Sequence, residues 1–129
     1  MVGLDTGFFV EIIKGNQDII DIWQNLSKGD TLPIVSVLTL GELLYIAYRT
    51  GTHSAGKDLV DNIDFSCRVI PVDRKIIEKA ASLKAGRGIP YIDAIILATF
   101  MLSKCRTIHT TDRKHFSEIK NKGISFIFH

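Results

Sequence analysis

Four acidic residues of this chain, Asp5, Glu42, Asp93 and Asp112, stand where a parallel α/β fold would bring carboxylates together. Asp5 closes the apolar run Val2-Gly3-Leu4, and Glu42 follows an apolar segment by one helical turn. Asp112 comes directly after a short β-rich stretch, and Asp93 lies in the first turn of the most apolar segment of the chain. Each has a purely structural explanation. Asp5 and Asp112 fit helix N-caps, Thr39-Leu40-Gly41-Glu42 fits a capping box, and Asp93 suits the positive end of a helix. Together they ask for more, because several half-buried carboxylates repel one another and rise in pKa unless something positive neutralises them. Pro90-Tyr91-Ile92-Asp93-Ala94-Ile95 contains no Lys or Arg. A hard divalent cation is the natural counter-charge, and an all-oxygen donor set suits Mg²⁺ or Mn²⁺ and argues against zinc.

The elements that would position these acids are legible from periodicity and caps. Residues 2–4 read as a strand and the following residues, with Phe8, Phe9, Ile12 and Ile13 apolar, as a helix. Asn16 can cap a second helix to about residue 26, with Ile19, Ile20, Ile22, Trp23 and Leu26 in one stripe. Residues 32–38 read as a buried strand, 39–49 as a helix ended by Gly51, and 54–63 as another helix. A strand at 68–72 precedes a helix capped by Asp73 and stopped at Gly86-Arg87-Gly88. Pro90 then starts a helix to about residue 104 that is apolar on nearly every side and belongs in the middle of the domain. A strand at 107–110, a short helix at 113–120 and a closing strand at 125–128 complete the series. Strands separated by helices imply a three-layer α/β/α sandwich, with a mostly parallel central sheet of about five strands and helices on both faces. In such a sheet ligands sit outside the carboxyl ends of the strands, near the reversal of strand order.

Length and composition narrow the alternatives. With 129 residues, 46% hydrophobic and 23% charged, the chain is expected to form one domain, 1–129, with a substantial core, which excludes tandem catalytic domains and disorder. Its longest charge-free run, 31–41, is too short for the ~18 apolar residues of a membrane span, and no signal peptide is evident, so a cytoplasmic location is expected. Cys67 and Cys105 form no CxxC pair and are expected to be buried and reduced. The four His residues form no HExxH and are expected to be structural or on the surface. The net charge of +2 hides an asymmetry: residues 1–64 carry four Lys and Arg against nine Asp and Glu, and residues 65–129 carry twelve against five. A basic half can face a polyanion or be an ordinary solvated surface. The helix at 39–49 carries more apolar surface than one core-facing stripe needs, and the mean hydropathy is +0.18, so part of that helix is expected to pack on a second copy.

Two glycine-rich stretches are decoys. Gly51-Thr52-His53-Ser54-Ala55-Gly56-Lys57-Asp58 nearly matches a phosphate-binding loop, but Asp58 replaces the metal-binding hydroxyl and the segment follows a helix, so it reads as an inter-helix loop. Gly86-Arg87-Gly88 lacks the third glycine of a dinucleotide fingerprint. A phosphoacceptor signalling module would need an acidic pair after the first strand and a Lys near the last one. Here Thr6 follows Asp5, and residues 125–129 contain no Lys. A D-x-D phosphatase fails because position 7 is Gly. A non-catalytic interaction module on the same fold leaves the four acids without a purpose.

Leu4-Asp5-Thr6, Ser36-Val37-Leu38-Thr39-Leu40-Gly41-Glu42-Leu43, Ile92-Asp93-Ala94-Ile95-Ile96-Leu97-Ala98 and Thr110-Thr111-Asp112-Arg113-Lys114-His115-Phe116 occur in this order along essentially the whole chain. They resemble the four acidic signatures of PIN-domain ribonucleases, and the small size is most like VapC-type toxins of prokaryotic toxin–antitoxin pairs. The resemblance implies a metal-dependent endoribonuclease in which Asp5, Glu42, Asp93 and Asp112 hold one or two Mg²⁺ or Mn²⁺ ions, supported by Thr6 and Thr111. It also implies a homodimer and a cognate antitoxin, with RNA processing outside a toxin system as the alternative role. A nest of acids repels RNA, so basic residues must flank the cleft. Arg113 and Lys114 are the best placed, followed by Arg49, Arg74, Lys75 and Arg87. The chain departs from the pattern at Gly7, where a small polar residue is commoner, at Ile46, where Gly is frequent, and at His115, where a further acid often precedes the Phe.

Overall fold

A computed structural model describes residues 1–121 and 123–129. Among them are five strands, β1 (Val2–Leu4), β2 (Ile34–Ser36), β3 (Arg68–Ile70), β4 (Thr107–Thr110) and β5 (Ser125–Phe128), and seven helices. The helices are α1 (Thr6–Ile13), α2 (Gln17–Ser27), α3 (Val37–Thr50), α4 (His53–Ser66), α5 (Arg74–Arg87), α6 (Tyr91–Leu102) and α7 (Arg113–Phe116). All strand pairs are parallel, in the order β3-β2-β1-β4-β5. The chain therefore winds outward from β1 through β2 to β3, then returns to lay β4 and β5 on the other side. The reversal of order falls between β1 and β4, whose carboxyl ends carry Asp5 and Asp112.

Alternation along the strands divides the core into two. Ile34 packs with Ile76, Ala80 and Leu83 of α5 and with the buried run Ala94 to Phe100 of α6. Its neighbour Val35 faces the opposite layer, with Leu4, Phe8, Phe9, Ile19, Leu43 and Ile63. Helices thus cover both faces of the sheet, as the strand–helix alternation predicts. The helix α6 is buried on nearly all sides. Its Ile95, Ile96, Leu97 and Phe100 each contribute about 1.5–3 kcal/mol by leaving water, so the helix that carries Asp93 is firmly held. Gly3 allows the close approach: a β-carbon there would run into the Phe100 ring.

Several boundaries differ from the sequence reading. The strand expected over 32–38 shrinks to three residues, because the Ser36 hydroxyl accepts the Leu38 amide and starts α3 at Val37. Thr39 is therefore inside the helix and caps nothing. The helix expected over 54–63 extends to Ser66, and most of the glycine-rich decoy is its first turns, not a loop. Gly56 there faces Ala47 of α3, where a β-carbon would collide. The helix α6 ends at Leu102 because Lys104 adopts φ 59, the left-handed conformation usually taken by Gly, and turns the chain into β4. The helix expected over 113–120 closes at Phe116, after which the Ile119 amide bonds Phe116 in a tighter turn. Cys67 and Cys105 are buried and free, as expected. No helix among the described residues is long and apolar enough to cross a membrane.

Candidate functional site

The four acids come from four elements and meet at the carboxyl ends of β1 and β4. Asp5 is the N-cap of α1 and is only 6% exposed. Its Oδ1 accepts the Thr6 amide at 2.8 Å and its Oδ2 accepts the Thr110 hydroxyl at 2.7 Å. The Asp5 amide in turn donates to the His109 carbonyl at 3.0 Å, which continues the β1–β4 ladder to the site. Thr110 then ties the two strand ends together, since its hydroxyl oxygen also accepts the Asp112 amide at 3.0 Å. On the other side the Thr6 hydroxyl donates to Glu42 Oε1 at 2.6 Å and lies 2.9 Å from the hydroxyl of buried Thr39. Glu42 is thus held through α1, and the capping-box explanation of its position does not apply. Asp112 does cap α7, accepting the His115 amide at 3.0 Å, so the cap and the cluster are the same residue.

Mutual repulsion is visible in the proton affinities. Burial first pushes the Asp5 carboxyl above the usual range, hydrogen bonds from Thr110 and Thr6 oppose this, and the charges of Glu42 and Asp112 add to it. Asp93, in the first turn of α6, is pushed up to about 6 by burial, then by Asp112 and Asp5, against the relief given by His115, with Glu42 adding further. Asp5 and Asp93 therefore both feel the other acids of the set. Among the described residues, the ion pairs within 4.0 Å put no Lys or Arg on any of the four. The only basic partner there is His115, whose Nδ1 lies 2.9 Å from Asp112 Oδ2 and 3.4 Å from Asp93 Oδ2.

A divalent cation suits such a set: oxygen donors on two strand–helix junctions and two helices, too negative together and, among the described residues, paired with no Lys or Arg. Asp93, Asp112 and His115 each offer one donor atom, all within 4.8 Å of one another, and Asp5 and Glu42 stand outside that tight trio. The residues singled out from sequence are placed unequally. Asp5, Glu42, Asp93 and Asp112 converge, and Thr6 bonds Glu42. Thr111 packs against α1, in the space that a β-carbon on Gly7 would need, and it is Thr110 whose hydroxyl holds Asp5. Arg113 and Lys114 are exposed in the first turn after Asp112, and the Arg113 guanidinium lies over the Phe128 ring at 5.2 Å. Arg74 is engaged with Glu78 on α5 and Arg49 stands beside Tyr45.

Sequence reasoning missed Thr110 and His115. His115, expected with the other His residues to be structural or on the surface, touches two of the four acids, and the signal for that contact was its position three residues after a capping Asp. His109 fits the expectation: it is buried, bonds His129 at 2.8 Å, and has its pKa pushed down to about 4 by burial and by His129.

The model of the PIN domain family matches residues 2–122. No curated protein matches the chain. Among solved structures, VapBC2 from Rickettsia felis, bound to a DNA fragment from its promoter, has a TM-score of 0.80 at 18% identity, covering 99% of this chain and 98% of the other. DNA-bound VapBC from Salmonella typhimurium has a TM-score of 0.78 at 19% identity, covering 98% and 96%. VapC20 from Mycobacterium tuberculosis, a Sarcin-Ricin loop cleaving toxin, has a TM-score of 0.74 at 17% identity, covering 91% and 94%.

Proposed function

This chain belongs to the PIN domain family, and from that premise we propose that it is a metal-dependent endoribonuclease and the toxin of a VapBC-type pair. The observation that carries the reading is the convergence of Asp5, Glu42, Asp93 and Asp112, with the first and third raised in pKa by burial and by the other acids, and, among the described residues, no Lys or Arg paired with them. Asp5, Asp93 and Asp112 are the anchors of one or two Mg²⁺ or Mn²⁺ ions, and Glu42 completes the set. The bound ion supplies the Lewis acidity that activates water near neutral pH and offsets charge developing on the phosphate. The chain's own residues do the rest. Thr6 fixes the Glu42 carboxylate, which orients the attacking water and accepts its proton. Thr110 holds Asp5 and the start of α7 in register, so the donors are set before RNA arrives. Arg113 and Lys114 flank the acids and take the phosphates of the incoming strand. Because water and not the 2′-hydroxyl attacks, the products carry a 5′-phosphate and a 3′-hydroxyl.

Partner surfaces are consistent with the toxin reading. Tyr45 and Tyr48 on α3 are 60% and 65% exposed and Phe65 on α4 is 90% exposed. A cavity of about 550 Å³ between α1, α3 and α4 is lined by Ile13, Leu43, Ile46, Ala47, Ala55 and Leu59. Such surfaces are unfavourable in water, and we assign them to a second copy of the chain and to an antitoxin in the cytoplasm. The test is cleavage of single-stranded RNA with Mn²⁺ by the wild type and by Asp5→Ala, together with growth of a host expressing each. Cleavage and growth arrest that both require Asp5 support the proposal. RNA left intact by the wild type with Mn²⁺ overturns it, and cleavage without growth arrest overturns the toxin role alone.

A further inference from the structure

We infer that His115 is a nitrogen ligand of the metal centre, completing with Asp93 and Asp112 a mixed Asp₂His donor face that favours Mn²⁺ over Mg²⁺. The inference rests on the metal site proposed above and assigns it a donor beyond the four acids. Its origin is local. Asp112 caps α7, and the first turn of a helix carries the side chain three residues on back over the cap. With Glu or Gln at that position the side chain would bond the cap's backbone. With His it presents Nδ1 to the cap carboxylate itself, at 3.0 Å from Oδ1 and 2.9 Å from Oδ2.

The second contact makes the arrangement more than a cap. Asp93 arrives from α6, remote in sequence, and its Oδ2 is 3.4 Å from the same Nδ1. An octahedral ion with bonds of ~2.1 Å needs adjacent donors about 3 Å apart. The two N···O separations bracket that spacing, and all three donor atoms lie within 4.8 Å of one another, so His115 is within reach of an ion held by Asp93 and Asp112. Access is adequate, since the side chains of His115, Asp93 and Asp112 are 28%, 25% and 23% exposed. Coordination uses the neutral imidazole with its proton on Nε2 and the Nδ1 lone pair toward the ion. An imidazole donor shifts preference from Mg²⁺ toward first-row transition ions, among which Mn²⁺ also accepts carboxylates.

The test is made on the full chain stripped of metal and loaded with Mn²⁺. Electron spin-echo spectroscopy is expected to show ¹⁴N modulation from a directly bound imidazole in the wild type and none in His115→Ala. Calorimetry is expected to show a loss of at least about tenfold in Mn²⁺ affinity in His115→Asn, whose amide can still donate to Asp112. In His115→Asp the ratio of Mn²⁺ to Mg²⁺ affinity is expected to fall by about tenfold, because the donor set becomes all oxygen. Melting curves without metal check that each variant is folded. Mn²⁺ bound without ¹⁴N modulation, or His115→Asn binding as tightly as the wild type, overturns this inference and leaves the four-carboxylate site standing. A wild type that binds no Mn²⁺ overturns both.

Discussion

Replacing Asp93 by Asn should stabilise the metal-free protein while destroying the site. The folded environment raises the Asp93 carboxyl from 3.8 to about 6. The folded state therefore holds more protons than the unfolded one between those values, and stability of the wild type falls as pH rises through that window. Above it the penalty is fully present. At ~1.4 kcal/mol for each tenfold change in proton affinity, the rise sets a ceiling of about 3 kcal/mol. The side chain is a quarter exposed and the variant forfeits the pairing with His115, so a net gain of about 1–2 kcal/mol is the expectation. At ~2.1 cal/mol/K of unfolding entropy per residue, that is about 4–7 °C in Tm. The assay is thermal unfolding in chelator at pH 4 and pH 7.5. Asp93→Asn should melt higher than the wild type at pH 7.5, and the difference should shrink toward zero near pH 4. A variant that melts lower at both values, or whose gain is the same at both, would refute the claim that charge repulsion dominates at this residue and would make Asp93 a structural group.

Other outcomes are also quantitative. Gly7→Ala should lose about 1–3 kcal/mol in urea unfolding, because its β-carbon collides with the Thr111 hydroxyl, and Thr111→Ala should restore part of the loss. Thr110→Val keeps the shape but removes the hydrogen bonds to Asp5 Oδ2 and to the Asp112 amide, leaving Asp5 only the Thr6 amide; a cost of about 1–3 kcal/mol and weaker Mn²⁺ binding are expected from unfolding and calorimetry. Arg113→Ala with Lys114→Ala should weaken binding of single-stranded RNA to the metal-free protein and reduce the salt slope by about 0.7 for each phosphate no longer neutralised; an unchanged slope would remove both from the RNA path.

Much of the framework is readable because local signals and global topology agree. The strands at Val2–Leu4, Thr107–Thr110 and Ser125–Phe128 coincide with their apolar patterns, and Asp73 caps α5 as its position implies. Agreement fails where two local signals compete. Thr39-Leu40-Gly41-Glu42 looks like a capping box, but in the structure Ser36 caps α3 and Thr39 lies inside the helix, 2.9 Å from the Thr6 hydroxyl. Lys104 carries no sequence sign of a left-handed turn, so apolar periodicity alone extends α6 too far. In the site, carboxylates at strand ends are legible because topology alone brings them together. The roles of Thr110 and His115 are not, since each depends on side-chain direction: Thr110 on which side of β4 faces Asp5, His115 on how the first turn of α7 folds back over Asp112.

At the centre of this account is a pocket in which protons and a divalent ion compete for the same carboxylates. Calorimetric titration of the metal-stripped protein with Mn²⁺ at pH 6, in buffers of different ionisation enthalpy, measures that competition directly. With Asp93 titrating at about 6, binding should release about half a proton or more per ion, and Asp93→Asn should abolish most of both the binding and the release. Absence of binding in the wild type, or binding with no buffer dependence, would contradict it.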